Sequence, residues 1–434
     1  MSQHAETATD RYDAFVAELR GHLPDNAILT DPLRRFAFGT DASCYRMVPE
    51  VVIRTPDEPA VIRIIEAAQR HGVSLTFRAA GTSLAGQAVT DSVLVLLTDA
   101  WRGHRIQDQG RRIALGPGVI GSDANRYLAP YGRKIGPDPA SIGAAMIGGI
   151  VANNASGMCC GTAENSYQTL ASMRLVLADG TLIDTADADS VAAFRASHAQ
   201  LLDDLQGLAT EVRDNTALAE KIRHKYRLKN TTGYGLNALL DFEDPVEVLQ
   251  HLMVGSEGTL GCMTEITYHT VVEHAHKATA MVFFPDMQTC CQAVLDLKAQ
   301  PVSAVELMDR ACLRSIEDLE GLPEFMRSLS EGCAGLLIET RASDAETLDV
   351  QIRQINDCLR AYTLEAEIPF TDKPAEYGVL WNARKGAFPR IGAMRDKGTT
   401  VIIEDVAFPI DRLAEGVAGL QRLFQEHGYP ETVI

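Results

Sequence analysis

The stretch from Pro137 to Gly157 constrains the fold more than any other, because almost every residue in it is small. It reads P-D-P-A-S-I-G-A-A-M-I-G-G-I-V-A-N-N-A-S-G. Side chains this short let neighbouring atoms come very close, so either two backbone elements pack tightly there or a large flat ligand lies across them. The prolines and the paired amides of Asn153 and Asn154 favour the ligand, since asparagine in a wall of small residues can meet the polar edge of a ring. A membrane span is excluded. The uncharged run 139–163 carries five glycines and two adjacent asparagines, which is too polar for hydrocarbon.

Two further glycine-rich stretches flank this one. Residues 77–88 follow an amphipathic run at 60–71 and a short apolar run at 73–77, which predicts a helix, a strand and then a Gly/Ser/Thr-rich loop. Glycine lets the backbone approach a phosphate, and successive amides with hydroxyls form a concave donor nest; a tight turn around a buried arginine is the plainer alternative. Residues 252–261 repeat the idea, with an apolar strand start and then glycines flanking a hydroxyl and the carboxylate of Glu257. Between the first two stretches, Gly116, Gly118 and Gly121 spell G-x-G-x-x-G, with Asp138 near the place of a ribose-binding acid in a nicotinamide fold. Residues 132–140 are glycine, proline and charge rather than a second buried strand. The motif is therefore read as strand, turn and helix.

With 58 acidic against 40 basic residues, the net charge of −18 disfavours nucleic acid and anionic membrane surfaces as partners. An anionic ligand would need a locally basic pocket. Nine cysteines without C-x-x-C spacing point to reduced thiols and a cytoplasmic location, with peripheral attachment to the inner membrane face left open. The first residues lack a basic region followed by an apolar core, so neither a secretory leader nor a transmembrane segment is expected. Residues 10–23 predict an N-terminal helix; 51–54, 73–77 and 92–98 predict strands around a helix with its apolar face at 61–68. Asp179-Gly180 marks a hairpin, and the polar helical stretch 187–225 reads as an insertion. A loop at 227–235 then gathers Arg227, Lys229, Asn230, Thr231 and Tyr234, and from Ala278 strands and helices alternate as in an α+β domain.

In this order and spacing the three glycine-rich stretches resemble the flavin-binding fold of the vanillyl-alcohol oxidase type, also called the PCMH-type FAD domain. Within it the similarity is to the FAD-linked D-2-hydroxyacid dehydrogenases, a group that includes D-lactate, D-2-hydroxyglutarate and glycolate dehydrogenases. The matching residues are 78–87, 137–141 with 147–149 and 153–157, and 255–261. The resemblance implies an α+β chain: an N-terminal helical segment over 1–47, a two-subdomain FAD-binding domain over 48–271, and an α+β substrate-binding cap with an antiparallel sheet over 272–434. It implies that Arg78, Ala80, Gly81, Thr82, Ser83, Gly86 and Gln87 wrap the FAD pyrophosphate. Pro137, Asp138, Ser141, Gly143, Gly148, Gly149, Asn153, Asn154 and Ser156 would line the isoalloxazine, and Gly255, Glu257, Gly258 and Gly261 would meet the adenine or ribose side. Some relatives tether flavin through a histidine in or near these loops. Residues 72–103 contain none, so FAD held non-covalently is implied.

In the cap, Trp381 to Arg384 is similar to a W-x-x-R segment whose arginine resembles a substrate-carboxylate ligand. A guanidinium suits a carboxylate because its planar fork gives two parallel charge-assisted hydrogen bonds; a structural ion pair is the plainer alternative. Lys385, with Arg227 and Lys229, could serve a second carboxylate, and Asn230 and Tyr234 complete the candidate catalytic set. Residues 401–409 resemble a family strand ending in D-x-x-x-P, with Ile403 where dicarboxylate-specific members often carry lysine. The chain stops at Ile434, before the family's G-H-x-x-x-G-N-x-H segment, whose histidines hold a divalent metal and serve proton abstraction. No metal ligands are therefore expected in this chain; His274 and His276 are not taken as a site. The implied reaction is hydride transfer from C2 of a small D-2-hydroxy acid to flavin N5, giving the 2-oxo acid, with weak or absent turnover for this chain alone. Electrons would leave to an iron–sulfur module or to a partner chain, as in multi-subunit glycolate oxidases. A non-catalytic α/β protein with structural glycine loops is the remaining alternative.

Overall fold

The computed structural model describes residues 2–395, 397–400 and 406–429, so the expectation at Ile403 lies outside the described residues. The chain divides after Glu273 into two compact units.

The first unit opens with a four-stranded sheet. Its strands are β1 (Ile28–Leu29), β2 (Val51–Thr55), β3 (Leu75–Arg78) and β4 (Val93–Leu97), in the order β1-β2-β4-β3, with β2, β4 and β3 parallel and β1 antiparallel at the edge. Strand alternation turns Val51, Ile53, Val93 and Val95 to one face, where they pack with Phe15 and Leu19 of the helix Ser2–Arg20 and Ile64 of the helix Glu58–His71. The second helix is well delimited: the Asp57 side chain caps the Ala60 N–H, Pro59 sits in its first turn, and Gly72 closes it in the left-handed conformation. The N-terminal helix is thus part of the first unit's core.

Next come β5 (His104–Gln107), β6 (Arg112–Leu115) and the short β7 (Arg133–Lys134), then β8 (Leu170–Leu177), β9 (Leu182–Asp184), β10 (Gly261–His269) and β11 (Val271–Val272). Five of them form an antiparallel sheet in the order β5-β6-β10-β8-β9, while β7 pairs with β11. Ile113, Leu115, Leu175, Ile266 and the fully buried Tyr268 build its core.

Two expectations change here. Residues 187–225 are helical as expected but not peripheral: they form the helices Ala188–Ser197, Ala199–Asp214 and Thr216–Lys225, and Phe194, Leu202, Val212 and Ile222 enter the same core. Their few apolar residues are spread over three short helices, which hides the buried stripe behind charge. The third glycine-rich stretch follows a helix, Pro245–Met253, rather than a strand. Asp244 caps the N–H of Val246 and Pro245 occupies the first turn, so the apolar residues before Gly255 belong to a helix end.

The second unit holds β12 (His276–Phe284), β13 (Ala304–Met308), β14 (Ala334–Ala342) and β15 (Ala366–Thr371), all antiparallel, in the order β13-β14-β12-β15. With helices after β12 and β14 this is a split β-α-β arrangement. Val282, Phe284, Leu336 and Ile338 face the helices Met287–Leu297 and Ala345–Leu359 through Leu297 and Ile355. From the helix Pro374–Met394, the indole N–H of Trp381 donates to the buried Glu339 Oε2 at 2.5 Å.

Candidate cofactor site

The first loop is shaped by its own chain. Arg78, 7% exposed at the end of β3, donates from Nε to the Ala88 carbonyl at 2.8 Å and closes the loop at its base. Gly81 and Gly86 take positive φ angles of 71° and 83°, open to glycine at little cost. Ser83 Oγ accepts from the N–H groups of Ala85 and Gln87. Among the described residues, the N–H groups of Ala80, Gly81, Thr82 and Ser83 have no protein acceptor, which leaves a row of free donors. A cavity of about 580 Å³ opens beside Ala79 and Ala80 at the carboxyl ends of the parallel strands, lined also by Leu96, Arg78 and the exposed Arg54. Ligands of open α/β sheets sit at this end of the strands.

The second stretch corrects the reading of its small residues. A Cβ on Gly157 would lie 1.7 Å from the Asp138 carbonyl oxygen, one on Gly136 2.1 Å from that of Glu164, and one on Gly148 2.8 Å from the Pro117 ring. Those glycines serve close backbone packing. Gly143 faces open space and Gly149 meets only Ala79 of the first loop, at 3.5 Å, so these two leave a surface free. Asp138 is consumed locally, accepting from the N–H groups of Cys159 and Cys160 at 3.1 Å each. The paired amides are braces as well: Asn154, left-handed at the end of the helix Ile147–Asn153, donates to the Asn230 carbonyl, and Asn153 Nδ2 donates to Glu257 Oε1 at 2.7 Å. Pro137 is buried, Ser141 is exposed with its carbonyl accepting from Ala144 and Ala145, and Ser156 Oγ donates to the Asn154 carbonyl.

Glu257 joins all three stretches. Its Oε1 accepts from Asn153 and, at 3.4 Å, from Gln87 Nε2, while its own N–H bonds the Ala152 carbonyl at 2.9 Å. The residue holds φ at +53°, a strained value for a side chain of this length. Burial pushes its carboxyl above the ordinary range, against the two amide hydrogen bonds. Gly255 approaches the Gly233 carbonyl, Gly258 faces Phe77, and Gly261 lies against the Val176 carbonyl. Beside them the Ser256 hydroxyl is buried without a hydrogen-bond partner, a group that a ligand could satisfy.

The loop 227–235 reaches the same place with unequal outcomes. Tyr234 shares a 2.7 Å hydrogen bond with Thr259 Oγ1 and is 42% exposed, so its phenol borders the third stretch. Asn230 is buried and turned inward, bonding Gly233 and Thr232 of its own loop, and Lys229 donates to the Gly157 carbonyl. In the second unit, Arg384 pairs with Glu306 through Nη2 at 2.9 Å and Nε at 3.1 Å, which leaves its Nη1 edge free among the described residues. Lys385 is exposed. No group of three or more His, Cys, Asp or Glu able to hold a metal occurs among the described residues, and no described helix is long and apolar enough to cross a membrane. Asp41 and Tyr45 lie in no pattern that sequence reasoning singles out, whereas the Ser256 hydroxyl stands inside the third glycine-rich stretch.

Comparison with known proteins supplies the family. Residues 49–186 match the FAD binding domain, and residues 273–434 match the C-terminal domain of FAD linked oxidases. The chain belongs to the FAD-linked oxidases. The chain is 25% identical over 419 residues to a D-2-hydroxyglutarate dehydrogenase of Pantoea ananatis, covering 91% of this chain and 40% of that protein. It is 24% identical to a mitochondrial D-lactate dehydrogenase (cytochrome) of Arabidopsis thaliana (92% and 61%) and 26% identical to the glycolate oxidase subunit GlcD of Escherichia coli (96% and 72%). The chain thus spans only 40% and 61% of the lengths of the first two. A solved alkyldihydroxyacetonephosphate synthase superimposes with a TM-score of 0.61 at 14% identity, covering 88% of this chain and 64% of that one. The chain therefore has the PCMH-type fold, an FAD-binding domain followed by an α+β domain.

Proposed function

We propose that this oxidase holds one FAD non-covalently in its first unit and oxidises a D-2-hydroxy acid to the 2-oxo acid. The observation that carries the reading is the meeting of three glycine-rich loops on one carboxylate, Glu257, beside a row of unpaired backbone donors. Ala80 to Ser83 would receive the phosphates, Gly143 and Gly149 leave room for a flat ring, and the buried Ser256 hydroxyl offers a polar contact. When bound, the flavin supplies the hydride acceptor. The protein's part is to position. Arg384, with Glu306 fixing one edge of its guanidinium, would present Nη1 to the substrate carboxylate, and Lys385 offers a second charge for a dicarboxylate. The D-2-hydroxy acid class rests on the relatives named above, and the subunit relatives favour a partner chain as electron acceptor.

Anaerobic titration of the purified, yellow protein with D-lactate, D-2-hydroxyglutarate and glycolate should bleach the flavin absorbance with at least one of them. Arg384→Met should raise the half-saturating concentration by about 30-fold, the worth of a charged hydrogen bond, without loss of bound flavin. A colourless protein would sink the cofactor assignment. A yellow protein that none of the acids bleaches would sink the substrate class.

A further inference from the structure

The segment just before β2 lies outside the residues matching the FAD binding domain, yet it closes on the first loop. Thr40 and Arg46 bridge to form a small turn, and within it the Ala42 N–H donates to the Gly81 carbonyl at 3.0 Å. The Tyr45 ring lies over Gly86 so closely that a Cβ there would fall 2.8 Å from it. Asp41 sits at the head of this turn. Its Oδ1 accepts from the N–H of Ser43, at 2.8 Å, and from the Ser43 hydroxyl. Its Oδ2 is buried and accepts from nothing, one of four such side-chain atoms among the described residues. Burial lowers the basicity of Arg78 while the Asp41 charge opposes that effect, which places carboxylate and guanidinium in one field without a direct bond.

We propose that the turn Thr40–Arg46 is a fourth wall of the cofactor site and that Asp41 Oδ2 accepts a hydrogen bond from a sugar hydroxyl flanking the FAD phosphates. The assignment rests on the flavin reading above. A carboxylate accepts only, so it cannot serve the phosphates themselves; beside a row of N–H donors meant for phosphate, a hydroxyl is the neighbouring group that has a proton to give. The Arg78 charge keeps Asp41 tolerable next to an anion. The hydroxyl belongs either to the ribityl chain or to the adenosine ribose, and the test separates them.

Dissociation constants of FAD, FMN and riboflavin are measured for the wild type, D41N and S43A, together with the melting temperature of each flavin-free protein. D41N keeps the amide oxygen that serves Ser43 and converts Oδ2 from acceptor to donor. FAD affinity should fall by about ten-fold or more, with little change in flavin-free melting. If riboflavin and FMN weaken equally, the ribityl hydroxyl is the partner; if only FAD weakens, it is the adenosine ribose. S43A should stay within about three-fold of wild type. Unchanged FAD affinity in D41N overturns the proposal, as does an equal loss in S43A, because the effect would then belong to the turn. A wild type that takes up no flavin defeats the cofactor reading itself, before Asp41 is in question.

Discussion

A single methyl group should distinguish the two kinds of glycine in the small-residue stretch. Gly157→Ala drives a Cβ to 1.7 Å from a backbone oxygen that has no room to move, whereas Gly143→Ala meets nothing within 4 Å. The first should destabilise the first unit by about 3 kcal/mol or more, and the second should leave its unfolding midpoint unchanged within about 0.5 kcal/mol. Denaturant unfolding of both proteins checks this. Equal midpoints would mean that Asp138 and its neighbours yield more easily than a packed turn should. The free face at Gly143 is where a bulkier side chain is expected to act on flavin affinity instead of on folding.

At the scale of elements, the two sheets of the first unit are tied by one ionic network. Arg174 of β8 reaches Glu58, at the start of the helix Glu58–His71, with Nη2 at 2.6 Å and Nε at 3.2 Å, and Asp184 of β9 with Nη1 at 2.9 Å. Burial alone would raise the Glu58 carboxyl, but hydrogen bonds from Arg174 and Thr264 outweigh it and hold it below its ordinary value of 4.5. A depressed carboxyl adds stability above its unfolded value and loses it as pH falls through the folded one. Arg174→Met should therefore cost about 2 kcal/mol at neutral pH, and the gap to wild type should narrow as pH drops below 4.5. A gap that stays constant into acid would assign the loss to packing.

The same scale shows what a reading of the chain could and could not reach. Short apolar runs bounded by Gly and Pro marked the strands β2, β3 and β4, because period and length decide them locally. The helix ending at Met253 reads as a strand in the sequence, since three apolar residues before a glycine carry no period of their own; its cap at Asp244 lies ten residues upstream of Val254. The three site loops were marked by composition, but the fates of their side chains were not. Whether Asn153 faces a ligand or Glu257, and whether Arg384 is free or paired with Glu306, depends on residues 104 and 78 positions away. Asp41 carries no pattern at all and becomes visible only through its unpartnered oxygen.

For the whole molecule, the charge of −18 sets the problem of holding an anionic cofactor, and under the proposed reading the first unit would meet it locally with the unpaired donors of one loop beside a cavity lined by Arg54 and Arg78. Glu257 has a second consequence, in time rather than in space. It bonds residues 170 and 104 positions away, so its contacts close long loops of the unit and should form late as the chain folds. Refolding in the presence of FAD should show helix and strand signals in far-ultraviolet dichroism recovering first, with the change in flavin fluorescence lagging behind; coincident traces would refute the order. Colour in this protein would then report that folding has finished.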